Sequence, residues 1–248
     1  MPLIFAVGLR ALRKPLNAVA RVSRETATSL SDADCSDALR LVPELAPHVE
    51  QITTLVALLD RWRKVTNLVS DASFAGLWTR HIADSAQLLA AASAARSSAA
   101  TSITRWLDLG TGAGFPGLVI AILLSKTPGA IVHCVEADKR KCAFLREAAR
   151  ATGAPATIHP HRIETLTAAD IPNITIVTAR ALSPLPRLLQ EAAPWLDAGA
   201  LGIFPRGASE RQTPLDAAVA GTYDITSTPS RTDPRGTILL VNALKDNV

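Results

Sequence analysis

Aromatic side chains make up only 4% of this 248-residue chain, with one tyrosine among them, and methionine occurs once. The 48% hydrophobic content is therefore mostly Leu, Ile, Val and Ala, enough for one large α/β domain plus a smaller element. Cysteine is scarce too. Cys35, Cys134 and Cys142 are odd in number and form no C-x-x-C pair, which excludes a disulfide framework or zinc ribbon and reads as reduced thiols in the cytoplasm. The five histidines lack ligand spacing, so no metal is expected. No apolar run reaches the ~18–20 residues of a membrane span, and no membrane partner is expected. The opening "MPLIFAVGL" is apolar, but Arg10, Arg13 and Lys14 follow it, where a secretory signal carries its charges in front.

Net positive charge is absent outside one segment. The net charge is +4, and residues 1–30 hold all of it, with five basic side chains against Glu25. The remaining 218 residues balance, 21 basic to 21 acidic, so polyanion contact by the folded part must come from local clusters. Residues 1–36 show no sustained period and end in the turn-rich "SLSDADCSD". They read as a loosely structured basic arm, with the Arg-rich composition also found in organelle transit peptides.

Residues 37–102 read as a helical segment with a linker. Val49, Ile52, Leu55, Val56 and Leu59 recur at helical spacing within a helix expected over 47–65. A second helix is expected over 74–92, and "AAASAARSSAATS" (90–102) is a low-complexity connection. From 103 to 248 the pattern changes to short apolar runs alternating with amphipathic stretches. "RWLDLG", "AIVHCVEA", "ATIHPHRIE", "ITIVTAR" and "GALGIFP" alternate with helical segments, which predicts a doubly wound, mostly parallel sheet. "TYDITST" and "GTILLVNA" have no helix between them and predict an antiparallel hairpin closing a sheet of seven strands.

The stretch "WLDLGTGAGFPGLVIAILL" (106–124) contains G-x-G-x-x-G from Gly112 to Gly117, the spacing of a dinucleotide fingerprint. Glu136 stands 19 residues beyond Gly117, placed to accept hydrogen bonds from ribose hydroxyls, but a dinucleotide and a mononucleoside cofactor would both use it. Asp108 separates them. At the carboxyl end of the first strand, beside the ligand, a carboxylate repels a pyrophosphate and suits an ammonium. S-adenosylmethionine, with a methionine ammonium, a sulfonium and a ribose, is such a ligand. Pro116 fits the first turn of the following helix, where a missing N–H costs little.

"DLGTGAGFPGLVIAI" resembles the glycine loop of the bacterial 16S ribosomal RNA guanine-N7 methyltransferase G family, and its Phe-Pro-Gly ending is unusual among methyltransferases. "NLVS" (67–70), "HIADSAQLL" (81–89), "VEADKRKCAFLRE" (135–147), "HRIE" (161–164) and "TARALSPL" (178–185) follow the family order. The resemblance covers about residues 47–245. It implies a class I, Rossmann-like fold with a seven-stranded sheet and an N-terminal helical subdomain. It also implies S-adenosylmethionine as cofactor and 16S ribosomal RNA of the small subunit as partner, in a cytoplasmic monomer. By resemblance, Gly110, Gly112 and Phe115 line the cofactor pocket, Glu136 takes the ribose, and Ile163 and Glu164 flank the adenine. Arg180 faces both cofactor and guanine. Arg206, His81 and Asp84 join it as substrate-side residues, with His81 and Asp84 also able to brace the helices on the cofactor loop.

Two positions depart from the family. Arg206-Gly207 stands where it has Lys-Gly, a guanidinium fork in place of a point charge, and Thr175 stands where it has Asp. Arg61, Arg63, Lys64 and Arg80 form a basic neighbourhood able to contact phosphates. No nucleophile–base pair is present, and none is needed, because guanine N7 has a free lone pair. A methyltransferase acting on another RNA, a protein or a small molecule remains the alternative.

Overall fold

The computed structural model describes residues 32–96, 103–207 and 222–244. Seven strands are present: β1 (Arg105–Leu109), β2 (Ile131–Val135), β3 (Ala156–His159), β4 (Ile176–Thr178), β5 (Leu201–Arg206), β6 (Tyr223–Pro229) and β7 (Thr237–Ala243). They form one sheet in the order β3-β2-β1-β4-β5-β7-β6. The first five run parallel, and β7 enters antiparallel between β5 and β6, as the missing helix between the last two strands predicts. The winding reverses between β1 and β4, so the carboxyl ends of those two strands form the crevice in which an open α/β sheet holds its ligand.

Seven helices carry the connections among the described residues: α1 (32–41), α2 (Val49–Trp62), α3 (Asp71–Phe74), α4 (Asp84–Arg96), α5 (Gly117–Leu123), α6 (Lys139–Thr152) and α7 (Leu185–Leu196). A 3₁₀ turn, Pro43–His48, precedes α2, and a π-helical stretch, Trp78–Ala83, runs straight into α4. Local signals set the ends of α6. Asp138 accepts from the backbone N–H groups of Arg140 and Lys141, and Gly153 closes the helix at φ 64°.

The sheet is buried on both faces. Trp106, Val132, Cys134, Ile176 and Ile203 pack beneath α2, α4, α5 and α6, whereas Leu107, Leu109, Val177 and Phe204 meet Leu188, Leu189 and Trp195 of α7. Leu45, Ile52, Leu55, Leu59 and Leu88 belong to the first of these cores, so the N-terminal helices share one apolar interior with the sheet. The sequence expectation drew the basic arm through residue 36. Residues 1–31 lie outside the described residues, but 32–36 already belong to α1. Asp34 there accepts from Trp78 N at 2.8 Å, Thr79 N at 3.1 Å and Thr79 Oγ1 at 2.6 Å, capping the π-helical stretch from 44 residues away. Most of the expected linker (97–102) also lies outside the described residues.

Candidate functional site

The loop between β1 and α5 is built around Asp108. Its carboxylate is fully buried, and Oδ2 accepts from Gly117 N at 2.8 Å and from Thr111 Oγ1. Gly117 has to be glycine, since a Cβ would sit 2.7 Å from both Asp108 Oδ2 and Cys134 Sγ. Gly110, Gly112 and Gly114 carry the chain through at φ 68°, 58° and 90°. The sequence expectation placed Asp108 beside the ligand. Instead the carboxylate lies under the loop and holds the opening N–H of α5, because this face of β1 packs against that helix. Burial pushes its pKa up to about 7, against the opposing pull of Thr111, Gly117 and the Arg180 guanidinium. Among the described residues, Oδ1 has no hydrogen-bond partner. Pro116 sits one position earlier than expected, at the N-cap.

Glu136 follows the last residue of the neighbouring β2 and is half-buried. Oε2 accepts from Gly112 N at 3.0 Å and Oε1 from Asp138 N at 2.8 Å, so one carboxylate holds the glycine loop and the start of α6 together at the crevice edge. Ile163 and Glu164 open a single 3₁₀ turn after β3. The Ile163 side chain reaches toward Gly110, whereas Glu164 is exposed and 3.8 Å from Arg162. Leu182 also reaches this point: a Cβ on Gly110 would lie 2.6 Å from its Cδ1. Ala181, at φ 49°, turns the chain that brings it there.

Arg180 joins the loop to the N-terminal helices. Nη1 donates to Arg80 O at 2.9 Å and to Asp84 Oδ2 at 3.3 Å, Nη2 contacts His81 Nδ1, and the guanidinium lies 5.8 Å from the centre of the Phe115 ring. His81 stacks on Phe115 with ring centres 5.2 Å apart. Burial, with Arg180 and Arg80 nearby, holds the His81 pKa down to about 4, so the ring is neutral and its Nδ1 accepts from Arg180. His81 and Asp84 thus tie the N-terminal helices to Arg180 and to Phe115 of the glycine loop. The π-helical stretch supplies the Arg80 carbonyl and the His81 ring, in keeping with the placing of such turns at working sites.

Beyond this cluster opens a cleft of about 550 Å³, lined by Arg80, His81, Asp84, Arg180, Arg206 and Arg235 among others. Four arginines against Asp84 and Asp233 give it an electropositive wall. Arg180 and Arg206 both line this cleft, but Arg206 is only 6% exposed and donates to Ser183 O at 3.2 Å. Thr175, in place of the family Asp, donates through Oγ1 to Arg105 O at 3.0 Å. Arg61 pairs with Glu147, Arg63 with Asp60 and Asp71, and Lys64 with Asp60, so three of the four expected phosphate contacts are answered within the protein.

Sequence reasoning missed the far wall of the cleft, the turn between β6 and β7. Gln87 is 2% exposed; Nε2 donates to Asp84 Oδ1 at 2.9 Å and to Ser230 Oγ and Thr232 Oγ1, each at 3.1 Å. Its Oε1 accepts from Arg231 N at 2.8 Å. Ser230, Arg231 and Thr232 stand more than 140 residues from Gln87, and no local signal links them.

Among solved structures, the chain is similar to a mutant of MtNAS in complex with S-adenosylmethionine (TM-score 0.52, 18% identity, 89% of this chain and 84% of that one). It is also similar to the METTL16 MTase domain (TM-score 0.55, 12% identity, 86% and 92%). These likenesses show the class I methyltransferase fold. Among curated proteins, the ribosomal RNA small subunit methyltransferase G of Parvibaculum lavamentivorans is 44% identical over 79% of this chain and 83% of its own length. The protein of the same name from a Methylobacterium species is 45% identical over 85% and 97%, and that of Methylobacterium nodulans 43% over 92% and 93%. The family model described as rRNA small subunit methyltransferase G matches residues 48–219. With the buried acid under the glycine loop and the arginine cleft beside it, this chain belongs to the rRNA small subunit methyltransferase G family.

Proposed function

We propose that this protein methylates N7 of a guanine in 16S ribosomal RNA of the small subunit, using S-adenosylmethionine, as a cytoplasmic monomer without a metal. The carrying observation is the Gly117–Asp108 bond. The opening N–H of α5, which a pyrophosphate would need, already belongs to a buried carboxylate. A nicotinamide or flavin dinucleotide is disfavoured there, and a nucleoside with a cationic tail is not.

The residues present suit that cofactor. The glycine backbone lets a ligand approach closely, Glu136 offers the remaining lone pairs of its carboxylate to a ribose diol, and Ile163 gives an adenine an apolar face. Arg180, fixed by Asp84, His81 and the Arg80 carbonyl, stands between this pocket and the cleft. When bound, S-adenosylmethionine would supply a sulfonium methyl: the in-plane lone pair of guanine N7 would form the new N–C bond as the S–C bond breaks, leaving a neutral thioether and a cationic 7-methylguanine, with no proton lost. The protein therefore needs no general base, and its contribution is alignment. The arginines of the cleft hold phosphate or a guanine edge in position.

Labelled methyl transfer to small ribosomal subunits, followed by identification of the modified base, tests this reading. 7-Methylguanine in 16S RNA is the expected product. Label confined to another RNA, a protein or a small molecule would overturn it.

A further inference from the structure

Helix α6 carries Lys139, Arg140, Lys141, Arg146 and Arg150 against a single acid, Glu147. Glu147 is already engaged by Arg61 and by Trp62 Nε1, the latter at 2.9 Å. Lys139, Ala143, Arg146 and Arg150 follow one another at steps of four, three and four, which places them in one stripe along the helix, and all four are exposed. Asp138 spends its carboxylate on backbone N–H groups. Among the described residues, no carboxylate lies within ion-pair distance of Lys139, Arg140, Arg146 or Arg150. Lys64, Arg187 and Arg231, by contrast, each have one, and Arg63 has two.

This concentration is notable because residues 31–248 are electrically balanced. Positive charge has been gathered onto one helix face and left unanswered there. The face is also well placed: α6 begins three residues after Glu136, at the carboxyl ends of the strands, where the glycine loop also lies. From Lys139 to Arg150 the stripe runs about 17 Å at ~1.5 Å per residue. Ala143 interrupts it with a methyl group, so a sugar–phosphate strand can approach the helix closely. Beside Arg146 and Arg150 a shallow groove is lined by Ala149, Ala154 and Ile158.

We infer that the outer face of α6 is a second RNA-contacting surface, gripping the phosphate backbone of the ribosomal RNA away from the target guanine. This rests on the function proposed above. Its chemistry is sequence-independent: exposed guanidinium and ammonium groups displace counterions from phosphates, adding affinity and salt dependence but no base preference.

The test compares the parent with Arg146→Gln/Arg150→Gln, whose side chains lie on the surface and outside the cofactor and cleft residues. Methyl transfer is measured on small ribosomal subunits and on 16S RNA transcribed in vitro, over a range of salt concentrations. The double variant should raise the KM for both substrates about tenfold and reduce the slope of log affinity against log salt by about two. Its kcat at saturating RNA and its calorimetric affinity for S-adenosylmethionine should stay at parent values. An unchanged KM and slope would overturn the inference. So would a loss confined to assembled subunits, which would point to a ribosomal protein as the partner. A parent that methylates neither substrate would instead count against the proposed function, which keeps the two failures distinct.

Discussion

Gly117 N and Asp108 Oδ2 are 2.8 Å apart beneath the glycine loop, and this one bond joins the second-last residue of β1 to the first of α5. Asp108→Leu removes the acceptor and leaves a buried N–H unpaired, which should cost ~1–3 kcal/mol of stability and weaken S-adenosylmethionine binding with it. Asp108→Asn keeps an acceptor oxygen and removes the charge. The folded pKa of Asp108, about 7, lies above the ordinary 3.8, so the folded state retains its proton where the unfolded chain has lost it. That contribution is complete below about pH 4 and is lost as pH rises to 7. Thermal melts from pH 4 to 8 should show the Asn variant gaining on the parent as pH rises; parallel curves would refute this.

His81 titrates in the opposite sense. Its folded pKa of about 4 lies below the ordinary 6.5, so its stabilisation is full above pH 6.5 and is lost as pH falls toward 4. Protonation also removes the Nδ1 acceptor from Arg180. His81→Gln, with an acceptor but no proton to gain, should show a shallower fall in melting temperature over that window. The difference from the parent is the readout, because burial also lowers His133 and His159.

The two arginines of the cleft should separate by function. Arg180→Ala removes a group that touches Phe115, His81 and Asp84, and should impair both cofactor affinity and RNA methylation. Arg206→Ala should lower kcat/KM for small subunits by ~10–100-fold, the range for losing a charged hydrogen-bonding group, with calorimetric cofactor affinity within a few-fold of the parent. A wild-type rate for Arg206→Ala would reduce that side chain to a prop for the Ser183 carbonyl.

Asp34 provides a test far from the chemistry. Asp34→Ala removes the acceptor for Trp78 N and Thr79 N and should cost ~1–2 kcal/mol, seen as a fall of about 2–8 °C in melting temperature. An unchanged melting temperature would show that the π-helical stretch holds without its cap.

The sheet was legible because β1 to β5 are short apolar runs, most of them divided by helices, a pattern with few topological solutions. That topology in turn brings the β1 loop, Glu136 and Arg180 to one edge. What stayed hidden depends on distance along the chain or on competition between charges. The "SDADCSD" segment reads as a turn from composition, yet Asp34 makes it a cap for residues 44 positions away. Asp60 lies three and four residues before Arg63 and Lys64, a helical spacing that pairs them and leaves less for RNA. Leu182 over Gly110, and Gln87 against the Ser230 turn, are meetings that no periodicity encodes.

The two oxygens of Asp84 serve different parts of the chain. Oδ2 holds Arg180, while Oδ1 receives Gln87 from its own helix and Thr232 from the final hairpin. During synthesis, the helix bearing Asp84 leaves the ribosome well before the turn it will anchor. A nascent chain stopped short of β6 would hold the glycine loop and both strand-end arginines, yet its cleft would be open on one side. The cleft therefore gains its far wall only when the last strands have been made.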